Sequence, residues 1–312
     1  MNKTPFFLTV DTEGDDIWNR PAEITSKNTE NLYRFQDLCT RYNIKPIYLT
    51  NYEAAVNRDF QHFVKQYEEQ SEIGLHLHAW NSPPQYRLTE DDFYHQPYLH
   101  EYPAKIVEEK IDYMVNLLED TFQTKIVSHR GGRYSISKPI FESLLKHNIK
   151  IDCSVVPGVD WGPNLGDPSK NGGPDFTDYP NEIYKIHEEL LEIPVSTWTV
   201  SNRYIKSMMK NRYANKVLRR MFNIRNLTLR SQLNNSIDLR KIINHAIDKK
   251  VGHLCYIIHS SELSAGYSPL IQTKDDEDVF YDNLEQFFIF LNSADVVSMT
   301  FKDYLHQQGL ST

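Results

Sequence analysis

The sequence predicts an α/β fold, a parallel β/α barrel of about seven strands, and three observations lead there. Short apolar runs alternate with stretches of helical periodicity along most of the 312 residues, which favours a parallel barrel over a sandwich. The first run, FFLTV at Phe6 to Val10, reads as a strand buried in a parallel sheet. Acidic residues and histidines gather just past the ends of the runs, where such barrels carry their chemistry.

The elements follow in order. After the strand Phe6 to Val10 comes a helix over about 28–42, with Leu32, Phe35, Leu38 and Cys39 at helical spacing, then a strand from Pro46 to Thr50. Phe60 to Glu69 is helical and Glu72 to His78 a strand. A polar loop containing prolines runs from about Asn81 to Tyr102. The helix Ala104 to Phe122 keeps Ile106, Ile111, Met114, Leu117 and Leu118 mostly on one face. Strand Ile126 to Ser128, helix Lys138 to Lys146 and strand Ile149 to Val155 continue the alternation. The stretch Pro157 to Pro180, rich in Gly, Pro, Asn and Asp, is too long for an ordinary connector and reads as functional or mobile. Strand Leu190 to Val195 precedes a basic insertion over about 200–235. Helix Ile237 to Lys250, strand Leu254 to Ile258, helix Val279 to Leu291, strand Asp295 to Ser298 and a helix near Lys302 to His306 complete the chain. With no internal repeat, residues 1–312 read as a single catalytic domain.

Composition excludes several classes. Hydrophobic residues at 40% and aromatics at 12% supply a sizeable core and argue against disorder. A net charge of -8 gives no reason to expect nucleic acid as a partner. No apolar run approaches the ~20 residues of a spanning helix. The chain opens with MNKTP directly before a strand, so no signal peptide is expected. Cys39, Cys153 and Cys255 form no CxxC pair and read as reduced, buried thiols, which suits a cytoplasmic protein.

Charge is uneven. Arg203 to Arg230 holds nine Lys/Arg and no acid, which leaves 25 basic against 42 acidic residues elsewhere. Met208, Met209, Val217, Leu218, Met221 and Phe222 interleave with those cations. The stretch suits an amphipathic helix on anionic lipid, a peripheral contact to the inner membrane face. It equally suits a solvated helix packed on the barrel, or capture of an anionic substrate such as a diphosphate-linked glycan.

Five motifs carry chemistry. Asp11-Thr12-Glu13-Gly14-Asp15-Asp16 could be a solvated turn, but its place at the end of a buried strand favours a functional set of carboxylates. In Gly74-Leu75-His76-Leu77-His78, residues i and i+2 share one strand face about 6.6 Å apart, so both imidazoles can close on one ion. Histidines with carboxylates suit zinc or a similar first-row metal. Ser128-His129-Arg130-Gly131-Gly132-Arg133-Tyr134 lets backbone amides approach a ligand and offers an arginine to clamp a carboxylate; the plain alternative is a tight turn with exposed arginines. Asp152-Cys153-Ser154 ends another strand. His259, in Tyr256-Ile257-Ile258-His259-Ser260-Ser261-Glu262, tips an apolar strand where an unpaired imidazole is costly.

Taken as an ordered set from Phe6 to about Glu262, these motifs resemble the polysaccharide deacetylases, carbohydrate esterase family 4. The stretches LTVDTEGD, EIGLHLHAW, SHRGGRY, DCSVVPG and IIHSSEL look like a cytosolic branch found with surface-glycan genes. The resemblance implies a distorted barrel and a metal-dependent hydrolase that removes an N-acetyl group from an amino sugar of a surface glycan or its precursor. It implies Asp11 as general base, Arg130 as the residue orienting it and His259 as general acid. One divalent ion, most readily Zn2+, would sit on Glu13, His76 and His78, with Asp15 competing for the place of Glu13. The family's usual second histidine lies four residues after the first; here that position is Trp80, so His78 must supply the imidazole. Asp15, Trp80, Arg133, Tyr134, Asp152 and Glu262 are expected on the acetylated amino-sugar substrate, and the Gly131-Gly132 amides on the oxyanion. Two other classes fit less well: a barrel amidohydrolase of another small amide, which normally carries His-X-His on its first strand, and a non-catalytic carbohydrate-binding descendant.

Overall fold

The computed structural model describes residues 3–162, 172–200, 225–230, 232–233 and 235–310. Its strands are β1 (Thr4–Thr12), β2 (Pro46–Thr50), β3 (Glu72–Leu77), β4 (Ser128–Gly131), β5 (Ile151–Asp152) and β6 (Tyr184–His187). They continue with β7 (Leu190–Glu192), β8 (Thr197–Val200), β9 (Arg225–Thr228), β10 (Leu254–His259) and β11 (Val296–Ser298). The helices are α1 (Leu32–Arg41), α2 (Tyr52–Ala55), α3 (Arg58–Gln66), α4 (Asp92–His95) and α5 (Ala104–Phe122). After them come α6 (Lys138–Lys146), α7 (Ser236–Lys249), α8 (Lys274–Ser293) and α9 (Phe301–Gln307).

The main sheet runs β10-β1-β2-β3-β4-β5-β7-β6, with β11 also beside β1. Every pairing from β10 through β7 is parallel and only β6 runs against its neighbour. The sheet curls into a distorted β/α half-barrel. Its open side is bridged where Ser196 N–H donates to Cys255 O at 3.0 Å and Ile257 N–H donates to Leu229 O at 3.1 Å.

Alternation along the strands divides the core. Phe6, Leu8 and Val10 face outward into a cluster shared with Leu32, Phe35 and Phe288 of the helical layer. Phe7, Ile47, Leu49, Ile151, Cys153 and Cys255 fill the concave face with Phe301 and Leu305 of α9. The Phe301 ring lies 4.9 Å from that of Phe7, so α9 plugs the end opposite the strand C-termini. A buried carboxylate, Glu72, ties that plug to β3 by accepting the Lys302 N–H at 2.8 Å.

The expected strand Ile149 to Val155 is shorter. Beyond Asp152 the pairing is irregular: Cys153 N–H donates to His129 O and Val195 N–H to Val155 O, each at 2.9 Å, while Val155 N–H donates to the Glu192 side chain, Oε1, at 2.9 Å. The antiparallel pairs β6–β7 and β8–β9 are additional to the expected elements. The loop 81–102 contains α4 and is tied to α5 by buried Lys110, whose Nζ donates to the carbonyls of Ser82 and Pro84. The amphipathic stretch proposed around Met208 to Phe222 lies outside the described residues.

Candidate active site

Strand register assembles the site. Asp11 on β1 pairs with His259 on β10, and His76 on β3 pairs with Arg130 on β4. Asp11 is in register with Gly74 through Leu49, so His76 and Arg130 stand two residues further along, and all four lie near the C-terminal rim of the concave face. Arg130 is fully buried and its side chain makes four hydrogen bonds: NH1 to Asp11 Oδ1 at 2.6 Å, NH2 to Thr9 Oγ1 at 2.9 Å and to Cys255 Sγ at 3.9 Å, and Nε to Cys153 O at 2.9 Å. Burial alone would raise the Asp11 carboxyl, but the Arg130 charge, helped by His76 and His259, holds it below the usual carboxylate range. One oxygen of Asp11 is thus committed to Arg130; the other lies 3.7 Å from His259 Nε2.

Glu13, His76 and His78 converge beside it. His76 Nε2 and His78 Nε2 are 3.1 Å apart, and Glu13 Oε2 lies 3.4 Å from the first and 3.0 Å from the second. The three donor atoms fall within 4.8 Å of one another and all three residues are buried. His76 Nδ1–H donates to the Arg130 carbonyl at 2.9 Å, which orients the ring with Nε2 facing Glu13. Burial pushes His78 down to about 4, so its imidazole is neutral at pH 7. Glu13 stays ionised, since the charge of His259 and hydrogen bonds from both histidines overcome its burial. Two imidazole nitrogens and a carboxylate oxygen, crowded in a buried corner, fit a divalent first-row cation.

Beside Asp11, at the end of β10, His259 is raised above the ordinary histidine range. Burial opposes its charge, but attraction to Glu13 and the hydrogen bond to Glu262 win. Glu262 is buried, accepts from the His259 backbone N–H at 3.1 Å and forms an ion pair with Arg230. Arg230 NH2 also lies 3.3 Å from His259 Nδ1.

The open cavity above these groups measures about 330 Å³. Of the expected residues, Asp11, Glu13, His76, His78, Trp80, Arg133, Tyr134 and His259 line it. Arg130 and Glu262 stand behind it. Asp15 turns away: its carboxylate accepts from Thr25 Oγ1, Lys27 N, Asn28 N and Asn28 Nδ2, which fixes the loop after β1. Asp152 also lies elsewhere, in a fully buried network with His129 at 2.7 Å and Ser154 at 2.8 Å. Ser154 Oγ accepts the Gly131 N–H at 2.9 Å, so that amide is not an oxyanion donor. Trp80 stacks on Phe93 at 4.4 Å and its ring lies 4.3 Å from that of His78, which it supports.

Several lining residues escaped the sequence reading. Trp18 leans edge-on against His259 at 4.8 Å, and Phe93, Tyr98 and Trp161 complete an aromatic rim. Trp161 falls in the long Gly/Pro-rich stretch read as functional or mobile, which was the available pointer; Trp18 had none. Arg133 and Tyr134 have positive φ values of 52° and 59°. Left-handed backbone costs a non-glycine residue roughly 1–3 kcal/mol, and here it aims both side chains into the cavity.

No family model and no curated protein matches the chain. Among solved structures, a candidate polysaccharide deacetylase from Mycobacterium smegmatis is 11% identical with a TM-score of 0.57, covering 100% of this chain and 93% of that one. The 4-alpha-glucanotransferase from Thermococcus litoralis is 11% identical with a TM-score of 0.53, covering 98% of this chain and 40% of that one. The chain thus has the distorted barrel fold of polysaccharide deacetylases. A glucanotransferase shares the scaffold, so function has to be argued from the site.

Proposed function

We propose that the chain is a metal-dependent hydrolase that removes an N-acetyl group from an amino sugar. One observation carries the reading: a Glu13/His76/His78 donor set shares one cavity with an arginine-held carboxylate, Asp11, and with an imidazole, His259, whose Nε2 lies 3.7 Å from that carboxylate. An amide hydrolase needs a base for water and an acid for the leaving amine, and these two residues are placed for both.

Glu13, His76 and His78 would hold the ion, for which Zn2+ suits the donor set best. When bound, a divalent ion supplies Lewis acidity to the acyl carbonyl and lowers the pKa of water. Asp11 accepts the proton of the attacking water through the oxygen that Arg130 leaves uncommitted. His259, kept protonated by Glu13 and Glu262, donates from Nε2 to the departing amine. Trp18, Trp80, Phe93 and Tyr98 present ring faces and edges on which a sugar can stack and from which bulk water is partly excluded. Arg133 and Tyr134 reach the same substrate from the β4 turn.

The substrate we propose is an acetylated surface glycan or its precursor in the cytoplasm, reached through the basic stretch 203–230 when it is carried on lipid. The test is acetate release from N-acetylated amino-sugar oligosaccharides by chelator-stripped protein, before and after return of Zn2+. Release only on return of the ion supports the reading; no release from any acetylated amino sugar by metal-replete protein contradicts it.

A further inference from the structure

On the other face of the sheet from the cavity lies a row of ionisable side chains that the proposed chemistry leaves unused. His129 on β4, Asp152 on β5 and Glu192 on β7 are in register on adjacent strands, and all three are fully buried. Side chains alternate along a strand. Their neighbours Arg130, Cys153 and Ile193 face the concave side, so this row points away from it. Tyr184 of β6 stands opposite Glu192 at the outer end. Among the described residues only Glu13, His76 and His78 bring ligand atoms within 4.8 Å of one another, so the row is not a second metal centre.

The row is a set of backbone ties. Asp152 Oδ1 accepts from His129 Nδ1–H at 2.7 Å and from Ser154 Oγ–H at 2.8 Å. Ser154 Oγ in turn accepts the Gly131 N–H at 2.9 Å, and Glu192 Oε1 accepts the Val155 N–H at 2.9 Å. Asp152 Oδ2 and Glu192 Oε2 are buried oxygens without a donor, a costly state. A proton on Glu192 relieves it, since that carboxyl then donates to Asp152. Burial and the charge of Asp152 do push the Glu192 carboxyl well above the ordinary carboxylate range.

Through these ties the row reaches the active site. Gly131 follows Arg130, whose guanidinium holds Asp11 and whose carbonyl accepts the His76 Nδ1–H. Cys153, between Asp152 and Ser154, offers its carbonyl to Arg130 Nε at 2.9 Å. We propose that Glu192 is a positioning residue: through Asp152 and Ser154 it fixes Gly131 and the Cys153 carbonyl, and so keeps Arg130 on both Asp11 and His76. The inference rests on the deacetylase reading for the work of Asp11 and goes beyond it, giving a role to residues that touch no substrate.

Glu192→Gln keeps both ties, its amide N–H donating to Asp152 and its carbonyl accepting from Val155, whereas Glu192→Ala removes them. Acetate release from N-acetylglucosamine oligosaccharides is measured for both variants, together with visible absorption of the Co2+-loaded proteins, which reports the geometry at His76. Glu192→Ala should lower kcat by about 10–100-fold with KM within about twofold of wild type, and should shift the cobalt bands. Glu192→Gln should restore both. Ser154→Ala, a smaller change that cuts the link to Gly131, should act as Glu192→Ala does and replaces it in the test if that variant does not fold. Either readout at its wild-type value in folded Glu192→Ala or Ser154→Ala, or equal losses in Glu192→Gln and Glu192→Ala, overturns the positioning role and leaves the deacetylase reading standing. If wild type releases acetate from no sugar, the cobalt spectra decide alone. A shift in Glu192→Ala that Glu192→Gln relieves then supports the positioning role while the deacetylase reading falls.

Discussion

Asp11, Glu13, Asp15 and Glu262 are one kind of functional group in four settings, and partners separate their roles. Asp11 faces an arginine, Glu13 two imidazoles, Asp15 backbone amides and Glu262 an arginine beside a histidine. The sequence placed the first two at a strand end and favoured Glu13 for the ion, with Asp15 left as its competitor. That choice depends on Thr25 to Asn28 folding back over the loop, a contact no local pattern reveals. Glu262 provides a pH test. Its carboxylate raises His259, which therefore stays protonated above the usual 6.5 and sets an alkaline limit to activity. Glu262→Gln should move the alkaline limb of kcat/KM toward lower pH while metal content is unchanged; an unmoved limb would remove Glu262 from that role. Stability has the opposite sign. Burial disfavours the Glu262 charge, yet Arg230 and His259 hold the carboxyl at about 2, below its ordinary 4.5. Its contribution is present above pH 4.5 and lost as pH falls toward 2, so the variant's stability should depend less on pH in that window.

At the scale of elements, the strand–helix alternation was legible because buried parallel strands read as apolar runs and amphipathic helices as periodic ones. What was not legible is pairing that passes through side chains, as where Glu192 replaces a strand partner for Val155, or through the short β8–β9 pair. The junction of β3 and β4 shows how tightly the elements are set. A Cβ on Gly132 would stand 2.5 Å from Leu77 O and 2.6 Å from His78 Nδ1, both too close. Gly132→Ala should therefore push the end of β3 and His78 with it, weakening zinc retention by at least tenfold in competition with a chelator. Far-ultraviolet dichroism should change little, because the barrel strands stay paired. Wild-type zinc affinity in that variant would show that His78 tolerates displacement or does not ligate.

For the whole molecule, the division of labour is spatial: an apolar plug at α9, a polar rim at the strand C-termini, and an aromatic cleft above it. The rim was readable from the sequence because its residues occur in compact motifs; the cleft was not, since Trp18, Phe93, Tyr98 and Trp161 come from loops distant in sequence. The charge asymmetry belongs at this scale too. With Arg230 committed to Glu262, the eight cations between Arg203 and Arg225 in an otherwise acidic chain suit a peripheral contact with anionic membrane, each near-surface cation contributing up to about 1 kcal/mol. Lys216, Arg219 and Arg220 lie outside the described residues, and reversing all three to Glu should reduce sedimentation with phosphatidylserine vesicles. Wild-type sedimentation should itself fade as salt rises. Equal, salt-insensitive sedimentation of both proteins would contradict the contact.

The central claim is that one carboxylate holds the ion while its neighbour two residues earlier moves the proton. Asp11→Asn separates them when zinc content and acetate release are measured on the same preparation. The account predicts wild-type zinc stoichiometry with a rate lower by about 10²–10⁴-fold, the range for loss of a general base. Loss of zinc from Asp11→Asn, or full activity with zinc retained, would contradict it.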